Sequence, residues 1–337
     1  MKFPFLIISV FVGLSISCDN EPYEWAPSYN ATWPCENGMA DIYPCSGYDL
    51  MSYLSLQDLT PEGINNGNLA GNDSWGWTDP NTNKEYALVG LSSHAAFVDI
   101  SNPSLPVLIG VLPTATVNSS WRDIKVYQNH AFIVSEASGH GMQVFDLTRL
   151  RDVNDAPEIF TADTHFTDFG SAHNIVINEE SGYAYVVGAN RNGPFSGGAL
   201  FINIQNPTAP IFEGGFGEEG YSHDAQVINY SGPDTDHIGK EILVGSNENE
   251  IVIADVTDKA NPITISTVGY SNIGYTHQGW FTEDLNHFIV GDELDELNIG
   301  TNTRTLIFNF SDLDNPVYDF DYLGSTLAID HNGYPFG

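Results

Sequence analysis

From about residue 70 the chain repeats one pattern of apolar and polar positions, with a period of roughly fifty residues. Each unit opens on a mixed segment, as in Trp121-Arg122-Asp123-Ile124-Lys125-Val126 and Ala172-His173-Asn174-Ile175-Val176-Ile177. A turn leads into a nearly continuous apolar run: Tyr86-Ala87-Leu88-Val89, Ala131-Phe132-Ile133-Val134, Tyr185-Val186-Val187, Ile242-Leu243-Val244 and Phe288-Ile289-Val290. Unbroken β-branched and aromatic residues suit strands covered on both faces. A third strand ends on Asp or Asn, at Asp99, Asp146, Asn203, Asp255 and Asn309. In four units an Asn-Pro pair follows, at Asn102-Pro103, Asn206-Pro207, Asn261-Pro262 and Asn315-Pro316. The short polar side chain can accept from the backbone of the turn, and proline presets its φ. A fourth strand then follows, such as Val107-Leu108-Ile109-Gly110.

A four-stranded unit cannot bury both faces by itself, so copies must stack. The pattern predicts an all-β propeller. Its five complete blades start near residues 70, 120, 171, 221 and 275, and a sixth starts near 327. A linear solenoid is the competing arrangement, but the period is long for a β-helix coil and suits a kelch-length blade. The sixth unit opens with Leu327-Ala328-Ile329-Asp330-His331-Asn332 and ends at Gly337. One inner strand would leave its edge and faces open, so the expectation is an incomplete ring in a chain cut short within the domain. Ahead of the blades, residues 49–56 alternate roughly and are expected to form a strand.

Composition adds two constraints. Lys and Arg number 10 against 44 Asp and Glu among 337 residues, a formal charge of −34. Such a field repels nucleic acid and anionic membrane surfaces and favours cations, although solubility alone also accounts for it. Only 16% of residues are charged and 12% are aromatic, too apolar a balance for disorder.

Residues 1–17 have the form of a secretion signal: Lys2 precedes an apolar run too short to span a bilayer. Leu14-Ser15-Ile16-Ser17-Cys18 resembles a bacterial lipobox, with Ser15 in place of the usual leucine. On that reading Cys18 carries the lipid, residues 18–45 form a proline-containing tether, and residues 46–337 form the propeller. The alternative is ordinary cleavage that leaves Cys18 as a free thiol. Lipidation of Cys18 leaves Cys35 and Cys45 as a plausible disulfide in an oxidising compartment. The expected location is the bacterial outer membrane or cell surface, with the lipid as the only membrane contact.

The blade strands, including Ile251-Val252-Ile253-Ala254-Asp255, resemble LVIVD-repeat propellers. More specifically, the chain resembles the choice-of-anchor B family of extracellular bacterial proteins. That likeness rests on Gly38-Met39-Ala40-Asp41-Ile42-Tyr43-Pro44-Cys45, Ser74-Trp75-Gly76-Trp77-Thr78-Asp79-Pro80, Ala172-His173-Asn174, Ser222-His223-Asp224-Ala225-Gln226, Tyr275-Thr276-His277-Gln278-Gly279-Trp280 and Asp330-His331-Asn332. The resemblance implies an exported propeller on an anchor and brings no established activity with it. Relatives usually continue beyond the equivalent of His331-Asn332, and many are anchored at the other end.

Candidate chemistry follows from the repeat. Arg122, His173, His223, His277 and His331 align at one inner-strand position, followed by Asp123, Asn174, Asp224, Gln278 and Asn332. Second strands end beside first strands in an antiparallel blade, which brings up Glu136, Asn190, Glu248 and Asp292-Glu293. Imidazoles and carboxylates on one rim suit a divalent metal such as Zn²⁺ or Mn²⁺. The competing reading is a water-lined channel whose packing residues are simply copied in each repeat. Because neighbours on a strand face opposite ways, one residue of each pair is expected to hydrogen-bond between blades.

Other segments offer less. Asp292-Glu293-Leu294-Asp295-Glu296 lacks EF-hand spacing and reads as a solvated loop. Asn72-Asp73 with Trp75-Gly76-Trp77 offers a sugar-stacking platform, although buried aromatic packing is the commoner use of such residues. The chain is therefore expected to be a binding module for an extracellular ligand or protein. The competing function is a metal-assisted hydrolase or lyase at the histidine rim.

Overall fold

The computed structural model describes residues 32–64 and 67–335. The signal segment and Cys18 lie outside them. Five sheets of four antiparallel strands follow one another along the chain, each in simple up-and-down order. Blade 1 runs Gly71–Thr78, Glu85–Leu91, His94–Asp99 and Val107–Pro113. Blade 2 runs Arg122–Tyr127, His130–Ser135, Met142–Asp146 and Thr164–Phe166. Blade 3 runs Asn174–Asn178, Tyr183–Val187, Ala199–Asn203 and Ile211–Phe216. Blade 4 runs Asp224–Asn229, Glu241–Ser246, Ile251–Asp255 and Ile263–Val268. Blade 5 runs Thr276–Phe281, His287–Asp292, Arg304–Asn309 and Val317–Leu323. The arrangement is an all-β propeller.

The third-strand Asp and Asn residues set the turns in all five blades. Their Oδ1 atoms accept from the N–H two residues on: Asp99 from Ser101, Asp146 from Thr148, Asn203 from Gln205, Asp255 from Thr257 and Asn309 from Ser311. Blade 2 lacks the Asn-Pro pair, and there the chain departs from the pattern. Asp146 instead caps the 3-10 helix Leu147–Asp152. The chain next adds Glu158–Ile159, parallel, to the outer strand of blade 1 before it completes blade 2.

Apolar clusters fill the spaces between successive blades. Phe97 and Phe145 stack at 4.7 Å between blades 1 and 2, with Leu88, Ile133 and Phe160 around them. Equivalent clusters form around Val134 and Val186, around Phe201 and Val252, and around Val244 and Phe308. The other face of blade 1 is covered by Leu54, Leu56, Leu59, Ile64 and Leu69. Residues 49–56 do not form the expected strand. They run as irregular chain because their leucines serve as a lid over Val98 and Val111 rather than as a paired edge. Cys35 and Cys45 are joined by a disulfide, with Cα atoms 5.8 Å apart.

Residues 327–335 form no strand, which corrects the expected inner strand of a sixth blade. They are held at the axis by side-chain contacts instead. Gln278 Oε1 accepts from the Gly333 N–H at 3.0 Å. The Tyr334 ring meets Trp280 of blade 5 at 4.9 Å and Trp75 of blade 1 at 6.2 Å. Without a second strand to pair with, the segment has no ladder to join. No helix among the described residues is long and apolar enough to cross a membrane.

Candidate functional site at the axial rim

Stacking of the blades brings the repeated histidines together. Ring centroids are 4.2 Å apart for His173 and His223, 4.5 Å for His223 and His277, and 4.4 Å for His277 and His331. The arc borders a cavity of about 290 Å³ whose lining includes His173, His277, His331, Asp73, Trp121 and Tyr334. His223 and His277 are buried, His173 is half-buried and His331 is exposed. A second cavity of about 190 Å³ lies between Phe169, Phe195, Leu200 and Phe212. It is apolar and gathers none of this chemistry.

The two buried imidazoles are neutral. Burial, reinforced by His173, depresses His223 to about 3, and burial with His223 and His331 depresses His277 to about 2. His223 Nδ1–H donates to the His277 carbonyl at 3.1 Å, which leaves Nε2 as a lone-pair donor. His277 Nε2 lies 3.7 Å from Glu293 Oε2, and its buried Nδ1 has no hydrogen-bond partner among the described residues. His173 Nδ1 and Glu136 Oε1 are 2.7 Å apart.

Below the rim, the residue after each aligned position works mainly between blades. Asp123 Oδ2 accepts from the Ile175 N–H of blade 3 at 2.7 Å, and Asp73 Oδ2 accepts from the Ile124 N–H of blade 2 at 3.2 Å. Lys125 Nζ lies 2.6 Å from Asp123 and 3.7 Å from Asp73, over the ring of Trp75. Burial opposes charge on Asp123 most strongly, but Lys125 together with the hydrogen bonds to Asp73 and from the Ile175 N–H outweighs it and holds that carboxyl below its ordinary value. Burial and the charge of Asp123 push Asp73 up to about 8. Burial and Asp123 likewise raise Asp224 to about 7, while its Oδ1 accepts from the Ala225 N–H. One lysine therefore serves three carboxyls.

Several residues expected at one rim are not brought together. Arg122 turns in between blades 1 and 2, where Nε donates to the Leu91 carbonyl and Nη1 lies 3.0 Å from His140 Nε2. The longer side chain reaches partners that an imidazole could not. Glu248 is clamped by Arg191 at 2.6 and 2.8 Å, and the guanidinium stacks 3.5 Å over Tyr221. Asp292 is fully buried and accepts from the N–H groups of Gly274 and Tyr275 and from the Tyr270 hydroxyl. It ties down the loop before the blade 5 inner strand, so Glu293 is the carboxylate at the rim.

The acidic run is not a solvated loop. Asp292, Asp295 and Glu296 are buried, with Arg304 Nε 2.6 Å from Asp295. Trp77 is buried, stacked on Tyr86 and bonded to Asn129, which is structural packing. Trp121 was not among the expected site residues, and Asp73 was expected only in a sugar platform, not at the rim. Asp73 sits fifty positions before Asp123, inside the repeat, and that spacing was the available signal.

Among known proteins, residues 85–114 match the LVIVD repeat family. The fold is similar to a crystal structure of a functionally unknown protein from Desulfotomaculum acetoxidans, at 13% identity and TM-score 0.49, over 75% of this chain and 70% of that one. It is also similar to a hypothetical selenium-binding protein from Sulfolobus tokodaii, at 11% identity and TM-score 0.48, over 74% of this chain and 61% of that one. A protein from Lactobacillus plantarum matches at 12% identity and TM-score 0.45, over 76% and 66%. No curated protein matches the chain.

Proposed function

We propose that this chain is an exported, lipid-anchored binding module of the choice-of-anchor B kind, and that its ligand sits at the axial rim. The observation that carries the reading is the polar cavity where His173, His277 and Asp73 of three blades meet His331 of the terminal segment, beside the exposed ring of Trp121. A concave site with a few convergent polar groups and perturbed acids is the usual form of a ligand pocket. Imidazole nitrogens supply hydrogen-bonding groups, and Trp121 supplies an apolar face for a ring or sugar. The Cys35–Cys45 disulfide suits the oxidising compartment that the leader implies.

The test is a thermal-shift screen of soluble oligosaccharides, short peptides and organic acids on the metal-free protein, kept in chelator. A compound class that stabilises the wild type but not Trp121→Ala or His173→Ala is the expected result. If nothing binds, or the hits stabilise the variants equally, the rim is not the ligand site. Anchoring is tested by labelled palmitate in the native host. Cys18→Ser should lose the label and leave the membrane fraction, and retention of both would overturn the anchor.

A further inference from the structure

We propose that His277, Glu293 and His331 form a site for one divalent transition metal of the zinc class, open towards the axial cavity. It rests on the rim reading only for its location. The ligand atoms of the three side chains lie within 4.8 Å of one another. Ligands held about 2.0–2.2 Å from a tetrahedral zinc sit roughly 3.4 Å apart, so closure requires side-chain shifts of about an ångström. The site can make that shift. Glu293 is half-buried, and His331 is exposed on irregular chain with no ladder to break.

His277 contributes the independent observation. It is only 1% exposed, yet its Nδ1 has no hydrogen-bond partner among the described residues. Its other nitrogen, Nε2, lies 3.7 Å from Glu293 Oε2 and is the one beside the cluster, so a metal would bind there and give this under-used imidazole a strong interaction. Two imidazoles and one carboxylate form a donor set suited to zinc. Three protein ligands also leave a fourth position for water or a ligand atom, and His331 lines the cavity where that atom would enter. The strong negative charge of the chain raises the local cation concentration.

The other histidine–carboxylate cluster, Asp234, His237 and Asp314, is arranged differently. Lys240 Nζ lies 3.3 Å from His237 Nδ1, and His237 Nε2 is 2.9 Å from Asp314. With the lysine donating to Nδ1, Nε2 carries the proton and donates to the carboxylate. That is a hydrogen-bonded clasp with a cation already beside it.

The experiment is calorimetric titration of Zn²⁺ into full-length protein prepared without an affinity tag and stripped with chelator. Co²⁺ serves as a spectroscopic substitute. One zinc per chain and a Co²⁺ spectrum of four-coordinate type are expected. Glu293→Gln and His331→Ala should each weaken zinc by at least ~10-fold, since even residues that only orient ligands cost that much. Both side chains lie outside the blade cores, so circular dichroism should be unchanged; His237→Ala should bind zinc as the wild type does. Absence of saturable binding, indifference to both variants, or loss in His237→Ala instead would overturn the site. The ligand screen is run without metal, so a hit there with no zinc binding here removes only the metal site. Zinc binding without a hit removes only the metal-free ligand reading.

Discussion

Asp123 of blade 2 reaches across to blade 3, where its Oδ2 accepts from the backbone N–H of Ile175 at 2.7 Å while its Oδ1 holds Lys125 at 2.6 Å. One carboxylate thus fastens two blades and neutralises the one buried lysine of the axis. Asp123→Ala removes both services and leaves Lys125 buried with only the more distant, protonatable Asp73. Loss of one partner of a buried pair costs about 3–5 kcal/mol, so chemical denaturation should show a large drop in stability. Asp123→Asn keeps an acceptor for Ile175 and should lose less. Equal losses in the two variants would mean that the charge, not the backbone clasp, dominates.

The pH dependence of stability should carry the mark of Asp73. Its pKa in the folded chain is raised to about 8 from 3.8. The folded state therefore keeps a proton that the unfolded state has released, and stability falls as pH rises through that interval. The depressed His223 and His277 act oppositely, taking stability away as pH falls below their ordinary 6.5. Above that value the carboxyl effect is free of theirs. Melting temperatures of the wild type should decline between about pH 6.5 and 8, with Asp224 contributing below about pH 7, and Asp73→Asn should flatten the decline above that point. An unchanged slope in the variant would place the titration elsewhere.

Phe145 stacks on Phe97 and lies 4.8 Å from Phe160 in the first inter-blade core. All three rings are at most 3% exposed. Phe145→Ala should cost about 3–5 kcal/mol through lost burial and the cavity left behind. Phe145→Leu should cost much less, because most of the volume is kept. Urea midpoints at unchanged slope would check both.

Tyr334 links the inner strands of blades 1 and 5 through Trp75 and Trp280. Tyr334→Ala should remove about 1 kcal/mol of edge-to-face contact. The local effect should be clearer. Amide exchange in residues 327–335 should quicken, while the strands of blades 2, 3 and 4 stay protected. If exchange there is unchanged, Gln278 and Gly333 hold the segment without the ring.

Much of the architecture is legible in the chain. The apolar middle strands, the Asp or Asn late in each third strand and the repeated histidine all rest on local rules of period, burial and turn geometry. The middle strands and turns appear in the structure at the predicted place, down to the five bonds from Asp99, Asp146, Asn203, Asp255 and Asn309, while His331 joins the other histidines without an inner strand of its own. Residues 49–56 and 327–332 misled that reading because an apolar–polar alternation does not supply a partner strand. A leucine-rich lid and a side-chain-held terminal segment satisfy the same pattern.

The site was legible as a position but not as a set of atoms. Sequence alone determined that His173, His223, His277 and His331 recur at equivalent points and must approach one axis. Only the tertiary structure decided that Arg122 leaves that arc for Leu91 and His140, that Asp292 is consumed by its own loop, and that Glu293 faces His277 and His331. Periodicity places a backbone position. Where a polar side chain ends depends on which buried N–H groups, carbonyls and charges it must satisfy across neighbouring blades, and those partners lie about fifty residues away.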